Sequence, residues 1–132
     1  MKKLCLIFLV FLTSCSSSRD DTTIDPPTVK TIGARTFTLQ NGQPVETIVF
    51  LGSYLSRDIP FKDLGFEVST NANLDDSIEL RRFAGSGTSN SFFEFNVSYD
   101  NTVQGTTYYF RAFTEDFDSQ LYYGEVKSYQ FF

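Results

Sequence analysis

Hydrophobic positions along the chain fall into two regimes. Leu4 to Leu12 is an unbroken apolar run of nine residues. From residue 28 onward apolar and polar residues alternate, in short blocks separated by Gly, Pro, Asn, Asp and Ser. A period of two puts successive side chains on opposite faces of a strand, and no block carries the spacing of a helix. The pattern predicts an opening strand over Val29–Ile32 and Thr36–Leu39, bent at Gly33. Further strands are expected at 46–56, 63–70, 78–83, 92–99 and 106–114, and a closing strand at 122–132. Ile48, Phe50, Gly52 and Tyr54 share one face, Phe66 and Val68 another, and Tyr108, Phe110 and Ala112 a third. Strand 92–99 alternates most clearly, with Phe93, Phe95, Val97 and Tyr99 inward. In the closing strand Val126 and Tyr129 can both face inward only if a β-bulge sits near Lys127-Ser128. Seven antiparallel strands in about 100 residues make an all-β sandwich.

The nine-residue run is too short to span a bilayer, which takes roughly 20 apolar residues. It follows Lys2 and Lys3 and ends in Leu12-Thr13-Ser14-Cys15. A basic start, a short apolar core and small residues before a cysteine are the parts of a secretory signal. The tetrapeptide resembles a bacterial lipobox, which implies cleavage before Cys15 and acylation of its thiol. Residues 1–14 are then a lipoprotein signal peptide, and each buried acyl methylene adds about 0.8 kcal/mol to membrane anchoring. Residues 15–27 hold one large apolar side chain, Ile24, and end in Pro26-Pro27. Such a segment cannot pack a core and reads as a disordered tether with a reach of about 45 Å. Ser16-Ser17-Ser18 followed by Asp20-Asp21 is similar to the acidic export tethers of surface lipoproteins. That likeness implies an outer-membrane protein displayed at the cell surface.

Composition narrows the chemistry. The 132 residues contain no His, no Trp, two Cys, 15 Phe and 7 Tyr. Without His there is no Ser-His-Asp or Cys-His nucleophile and no His-ligated metal. Two Cys make neither a Cys-only zinc site nor a disulfide scaffold. Net charge is −5 and becomes −7 once Lys2 and Lys3 leave with the signal, so nucleic acid is not an expected partner. Acids cluster at Asp75-Asp76 and at Glu115-Asp116 with Asp118, but no spacing matches a calcium loop. They read as solvated loop charges. No cofactor, no metal and no enzymatic activity are expected.

Four stretches in residues 46–132 resemble fibronectin type III-like domains, in the order those domains use. They are Pro60–Thr70 (PFKDLGFEVST), Gly85–Phe95 (GSGTSNSFFEF), Gly105–Phe113 (GTTYYFRAF) and Tyr123–Val126 (YGEV). The resemblance implies an Ig-like sandwich over residues 28–132. It also makes Tyr108 a corner tyrosine whose hydroxyl bonds to nearby backbone, and puts Phe50 where many relatives carry Trp. The usual L-x-P-G before this strand is replaced by Thr102-Val103-Gln104-Gly105.

Two features suggest a contact surface. Tyr109, Phe113, Phe117 and Tyr122 lie on strand faces and in a turn near Arg81-Arg82, and together they make a candidate binding patch for a glycan or a protein. The second face of strand 46–56, with Val49, Leu51 and Leu55, is unusually apolar for a solvent side. The reading is therefore a lipid-anchored, non-catalytic binding or adhesion module of the cell envelope. The alternative is a carbohydrate-binding accessory lipoprotein beside an outer-membrane glycan transporter. The expected contacts are the membrane through Cys15 and a protein or glycan partner.

Overall fold

The computed structural model describes residues 24–38, 44–57, 59–83 and 91–132. Cys15, the expected signal peptide and most of the expected tether lie outside the described residues. So do residues 41–43, Asp58 and residues 84–90, which fall between expected strands.

Eight strands form, all in antiparallel pairs: β1 (Thr28–Thr38), β2 (Pro44–Ser56), β3 (Phe61–Ser69), β4 (Ile78–Phe83), β5 (Ser91–Tyr99), β6 (Thr107–Asp116), β7 (Leu121–Tyr123) and β8 (Lys127–Gln130). They make two sheets. One is β1-β2-β5; the other is β4-β3-β6, with β7 and β8 following one another along the free edge of β6. The fold is the expected β-sandwich.

The inner faces meet on an aromatic core. Phe50 lies 4.6 Å from Phe110 and 5.6 Å from Phe66, ring centre to ring centre, and all three are fully buried. Val29, Ile48, Tyr54, Phe61, Leu64, Val68, Tyr108, Ala112 and Phe131 belong to the same core, with Val97 and Tyr99 packed against it. Each large apolar side chain contributes roughly 1.5–3 kcal/mol on burial, so the core holds without Trp.

β1 is a single strand, with register shifts between Thr31 and Gly33 and between Thr36 and Thr38. The expected bend is thus a bulge at Ile32. β6 runs two residues further than the pattern suggested, because Glu115 and Asp116 still pair with β3. The closing strand is the largest correction. It is broken in two over residues 124–126, and Val126 is 46% exposed, so the condition for a bulge near Lys127-Ser128 is not met.

That break has a physical cause. β7 pairs as far as Phe113 and β8 begins at Phe110, so Ala112 of β6 is left between them. The Ala112 carbonyl accepts from Gly124 N–H at 2.9 Å, and Ala112 N–H donates to the buried Thr31 Oγ1 at 2.9 Å. A β1 side chain thus replaces the missing ladder partner. A Cβ at Gly124 would lie 2.7 Å from the nitrogen and hydroxyl of Thr31, so only glycine lets the two segments approach. Tyr129 and Thr36 hydroxyls share a 2.6 Å hydrogen bond, and Lys127 Nζ donates to Ile32 O at 3.1 Å. These bonds close one side of the sandwich. On the other side the edge strands β4 and β5 are not paired to each other.

The strand directions define two poles. Thr28 lies opposite Leu55, and Phe61 opposite Asp116. The chain therefore enters at the pole holding the β2–β3 connection and the β6–β7 turn. The β3–β4 loop, the β5–β6 connection and Phe131-Phe132 occupy the other pole.

Candidate functional site

The four aromatics singled out from the sequence do not converge. Phe113 alternates outward on β6, as expected, yet it is only 1% exposed. Its ring sits over Gly65 of β3, the residue directly opposite it. A Cβ at Gly65 would lie 3.0 Å from Phe113 Cζ and 2.1 Å from the Leu80 carbonyl oxygen. The missing side chain is the hollow that takes the ring. Arg81 lies over the ring at 5.1 Å and Tyr123 packs beside it at 6.5 Å.

Charges close this face. Arg81 pairs with Glu79 at 2.8 Å, with Asp63 at 3.6 Å and with Glu115. Lys62 reaches Glu115 at 3.4 Å. Arg111 bonds Glu67 at 2.6 Å and stacks on the Tyr123 ring at 3.8 Å. The hydrogen bond from Arg81, with the nearby charge of Lys62, holds the Glu115 carboxyl below its ordinary value although burial opposes it. The same bonds, to Glu115 and Glu79, raise the Arg81 guanidinium above its usual range. Both arginines of this face are thus committed to carboxylates within the chain.

Tyr122 lies across from Thr114, on the inner side of the sheet, and packs against the core. Its hydroxyl donates to Asp116 Oδ2 at 3.1 Å, and burial, then this contact, pushes its pKa up. Tyr109 is half-buried on the outer face, four residues and roughly 13 Å along the strand from Phe113. Phe117 stands at the tip of the β6–β7 turn and is 56% exposed. One ring is covered by charges, one faces the core, and two are far apart.

The acidic turn has a structural task. Asp116 Oδ1 accepts from the backbone N–H of Asp118 and of Gln120, each at 2.9 Å. With Tyr122 on Oδ2, its carboxylate is engaged in closing the hairpin, as Asx turns do. Among the described residues no group of three or more acids, His or Cys is placed to hold a metal ion.

On the β1-β2-β5 sheet, the outward Val49 is buried in a shallow depression of about 210 Å³ beneath Arg35, Thr47, Asn96 and Ser98. Leu51 is half-buried and Leu55 exposed, so the apolar stripe seen in the sequence is interrupted by polar neighbours.

A larger concavity lies elsewhere. A cleft of about 370 Å³ opens at the pole remote from the chain's entry, beside the unpaired edges of β4 and β5. Ser69, Asp75, Asp76, Ile78, Tyr99 and Tyr108 are among its walls. Tyr99 and Tyr108 meet edge to face at 5.9 Å. Burial raises the pKa of Tyr99, so its hydroxyl stays protonated. Tyr108 is 4% exposed, and its hydroxyl accepts from Val103 N–H at 2.7 Å, five residues upstream. That is the corner bond the sequence implied. The β3–β4 loop at the rim is tied down internally. Ser69 Oγ donates to Asp75 O at 3.0 Å and accepts from Asn71 N–H at 2.9 Å. Leu74 N–H reaches Asn71 O at 3.0 Å, and Ser77 N–H reaches Leu74 O at 3.2 Å. Leu74 and Asp76 take left-handed backbone conformations, with φ of 59° and 60°.

Sequence reasoning missed this cleft. Its walls come from segments some 30 residues apart that no local pattern joins. Comparison with family models, curated proteins and solved structures gives no match to this chain.

Proposed function

We propose that the chain is a lipid-anchored, non-catalytic binding module of the bacterial cell envelope, held by Cys15 at the outer membrane and displayed at the cell surface. The observation that carries this reading is the run Leu4–Leu12 ending in Leu12-Thr13-Ser14-Cys15. The fold is compatible with it. The first strand begins at Thr28, 13 residues after Cys15, and enters at one pole, which leaves the other pole free. The fibronectin type III-like reading draws support from the three-stranded sheet facing a five-stranded one, in which β7 and β8 share one edge of β6, and from the Tyr108 corner bond. A sandwich without His, whose described acids are engaged in ion pairs and turn hydrogen bonds or exposed on loops, suits binding better than catalysis. A narrower reading, a carbohydrate-binding accessory of an outer-membrane glycan transporter, is favoured by the polar, tyrosine-lined cleft at the free pole.

Fractionation of cells expressing the wild-type chain and the Cys15→Ala variant tests the anchor. The wild type should sediment with outer membranes and be cut by protease added to whole cells. The variant should leave the membrane fraction. A Cys15→Ala chain that stays on the membrane contradicts the anchor, and a wild type resistant to external protease contradicts surface display.

A further inference from the structure

We propose that the cleft between the β3–β4 loop and the end of β5 is a binding site for a neutral sugar. This deepens the binding-module reading by giving it a place and a ligand class, but the chemistry of the cleft is argued without the anchor.

Asp75 and Asp76 are exposed and make no side-chain hydrogen bond or ion pair among the described residues. The Tyr99 hydroxyl likewise has no partner among them, although the residue is half-buried. The rim therefore presents strong acceptors beside a phenol that can donate and accept. Ile78, 45% exposed, and the half-buried Tyr99 ring supply apolar surface in the same concavity, while Val68 and Tyr108 form its buried floor.

Three ligand classes can be weighed against these walls. An anion such as phosphate or a uronate would meet two carboxylates, since among the described residues no Lys or Arg lines the cleft. A simple ammonium group would satisfy the carboxylates, but it has donors only and leaves the phenol proton without an acceptor. A neutral sugar fits both sides. Each of its hydroxyls donates and accepts, and its C–H face can cover the accessible part of the Tyr99 ring or Ile78. The volume of about 370 Å³ lies within the range of small-molecule sites, roughly 300–1,000 Å³. The loop that carries Asp75 and Asp76 is already ordered by the Ser69 and Asn71 bonds, so little conformational freedom is left to lose on binding. The cleft also faces away from the pole at which a tether would enter.

The test uses the full chain in detergent micelles and follows backbone amide NMR signals. The probes are glucose, galactose, mannose, N-acetylglucosamine and their disaccharides, with pentalysine and inorganic phosphate for comparison. At least one saccharide should shift the amides of Ser69 to Ile78 and of Tyr99, with little dependence on salt. Tyr99→Phe keeps the ring packing, and Asp76→Asn keeps a residue that tolerates the left-handed backbone. Each should weaken binding about tenfold with an unchanged unfolding midpoint. The proposal is overturned if no saccharide in the panel shifts these amides, or if pentalysine or phosphate alone does. It is equally overturned if saccharide shifts map to other faces, or if both variants bind as well as wild type. Failure here leaves the Cys15 anchor standing, because that is read from the N-terminal chemistry.

Discussion

Replacing Phe113 by Ala tests whether the outer sheet face is a ligand platform or a covered satellite of the core. Phe113 is 1% exposed, held between the hollow at Gly65 and the Arg81 guanidinium. Truncation of a buried Phe costs about 3–5 kcal/mol, the transfer term plus the cavity left behind. The lower end applies, because the lid is a half-exposed arginine that can settle into the void. A loss of about 3 kcal/mol is expected, including the lost cation–π contact of about 0.5–1 kcal/mol. A domain this size typically has 5–15 kcal/mol of stability, so the variant should still fold. Urea unfolding followed by circular dichroism reads the effect. With a slope near 1–1.5 kcal/mol/M for a small domain, the midpoint should fall by about 2 M or more. Phe113→Leu, which keeps most of the volume, should lose about 1 kcal/mol. Tyr109→Ala on the same face should lose less than Phe113→Ala, because Tyr109 is only half-buried. A Phe113→Ala shift under about 0.5 kcal/mol, together with loss of ligand binding, would refute the reading and restore the aromatic patch.

Three further outcomes follow from buried polar groups and charges. Thr114 Oγ1 is buried with no hydrogen-bond partner among the described residues, so Thr114→Val should raise stability by about 1 kcal/mol in the same urea assay; a loss would mean the hydroxyl is satisfied by an ordered water. Thr31→Val leaves Ala112 N–H without its acceptor and should cost about 1–3 kcal/mol, with faster amide exchange at Ala112; unchanged exchange would show that the β7–β8 break is sealed in some other way. The Glu115 carboxyl is held below its ordinary value of 4.5 by Arg81, so its contribution is complete above that value and is lost as pH falls through the lower folded-state value. Glu115→Gln should therefore flatten the acid side of the stability profile, less so at high salt, whereas an identical acid slope in both chains would remove Glu115 from the account.

What the sequence could reveal divides along physical lines. Strand positions and inner faces were legible, because alternation is a local property: Phe66 and Val68 of β3, the bounds Ile78 and Phe83 of β4, and the inward row of β6 all stand where the pattern put them. The Tyr108 corner was legible through the resemblance of Gly105–Phe113 to a known strand. Phe113 was placed on the correct face but read as exposed. Its burial depends on Gly65 across the strand pair and on Arg81 one strand further, and alternation within β6 contains neither. The split of the closing strand was hidden for the same reason, since it arises where Gly124 meets Thr31, more than 90 residues away in sequence. Asp116 looked like a loop acid. It is the clasp of the β6–β7 turn, and only the geometry of Asp118, Gln120 and Tyr122 shows that.

The central claim is that this sandwich is carried on a lipid attached to Cys15. Intact mass spectrometry of the chain purified from its own envelope, with sequencing of the amino-terminal peptide, tests it directly. The account predicts loss of residues 1–14 and a Cys15 bearing a diacylglycerol on sulfur. A chain that keeps Met1, or that begins at an unmodified Cys15, would contradict it.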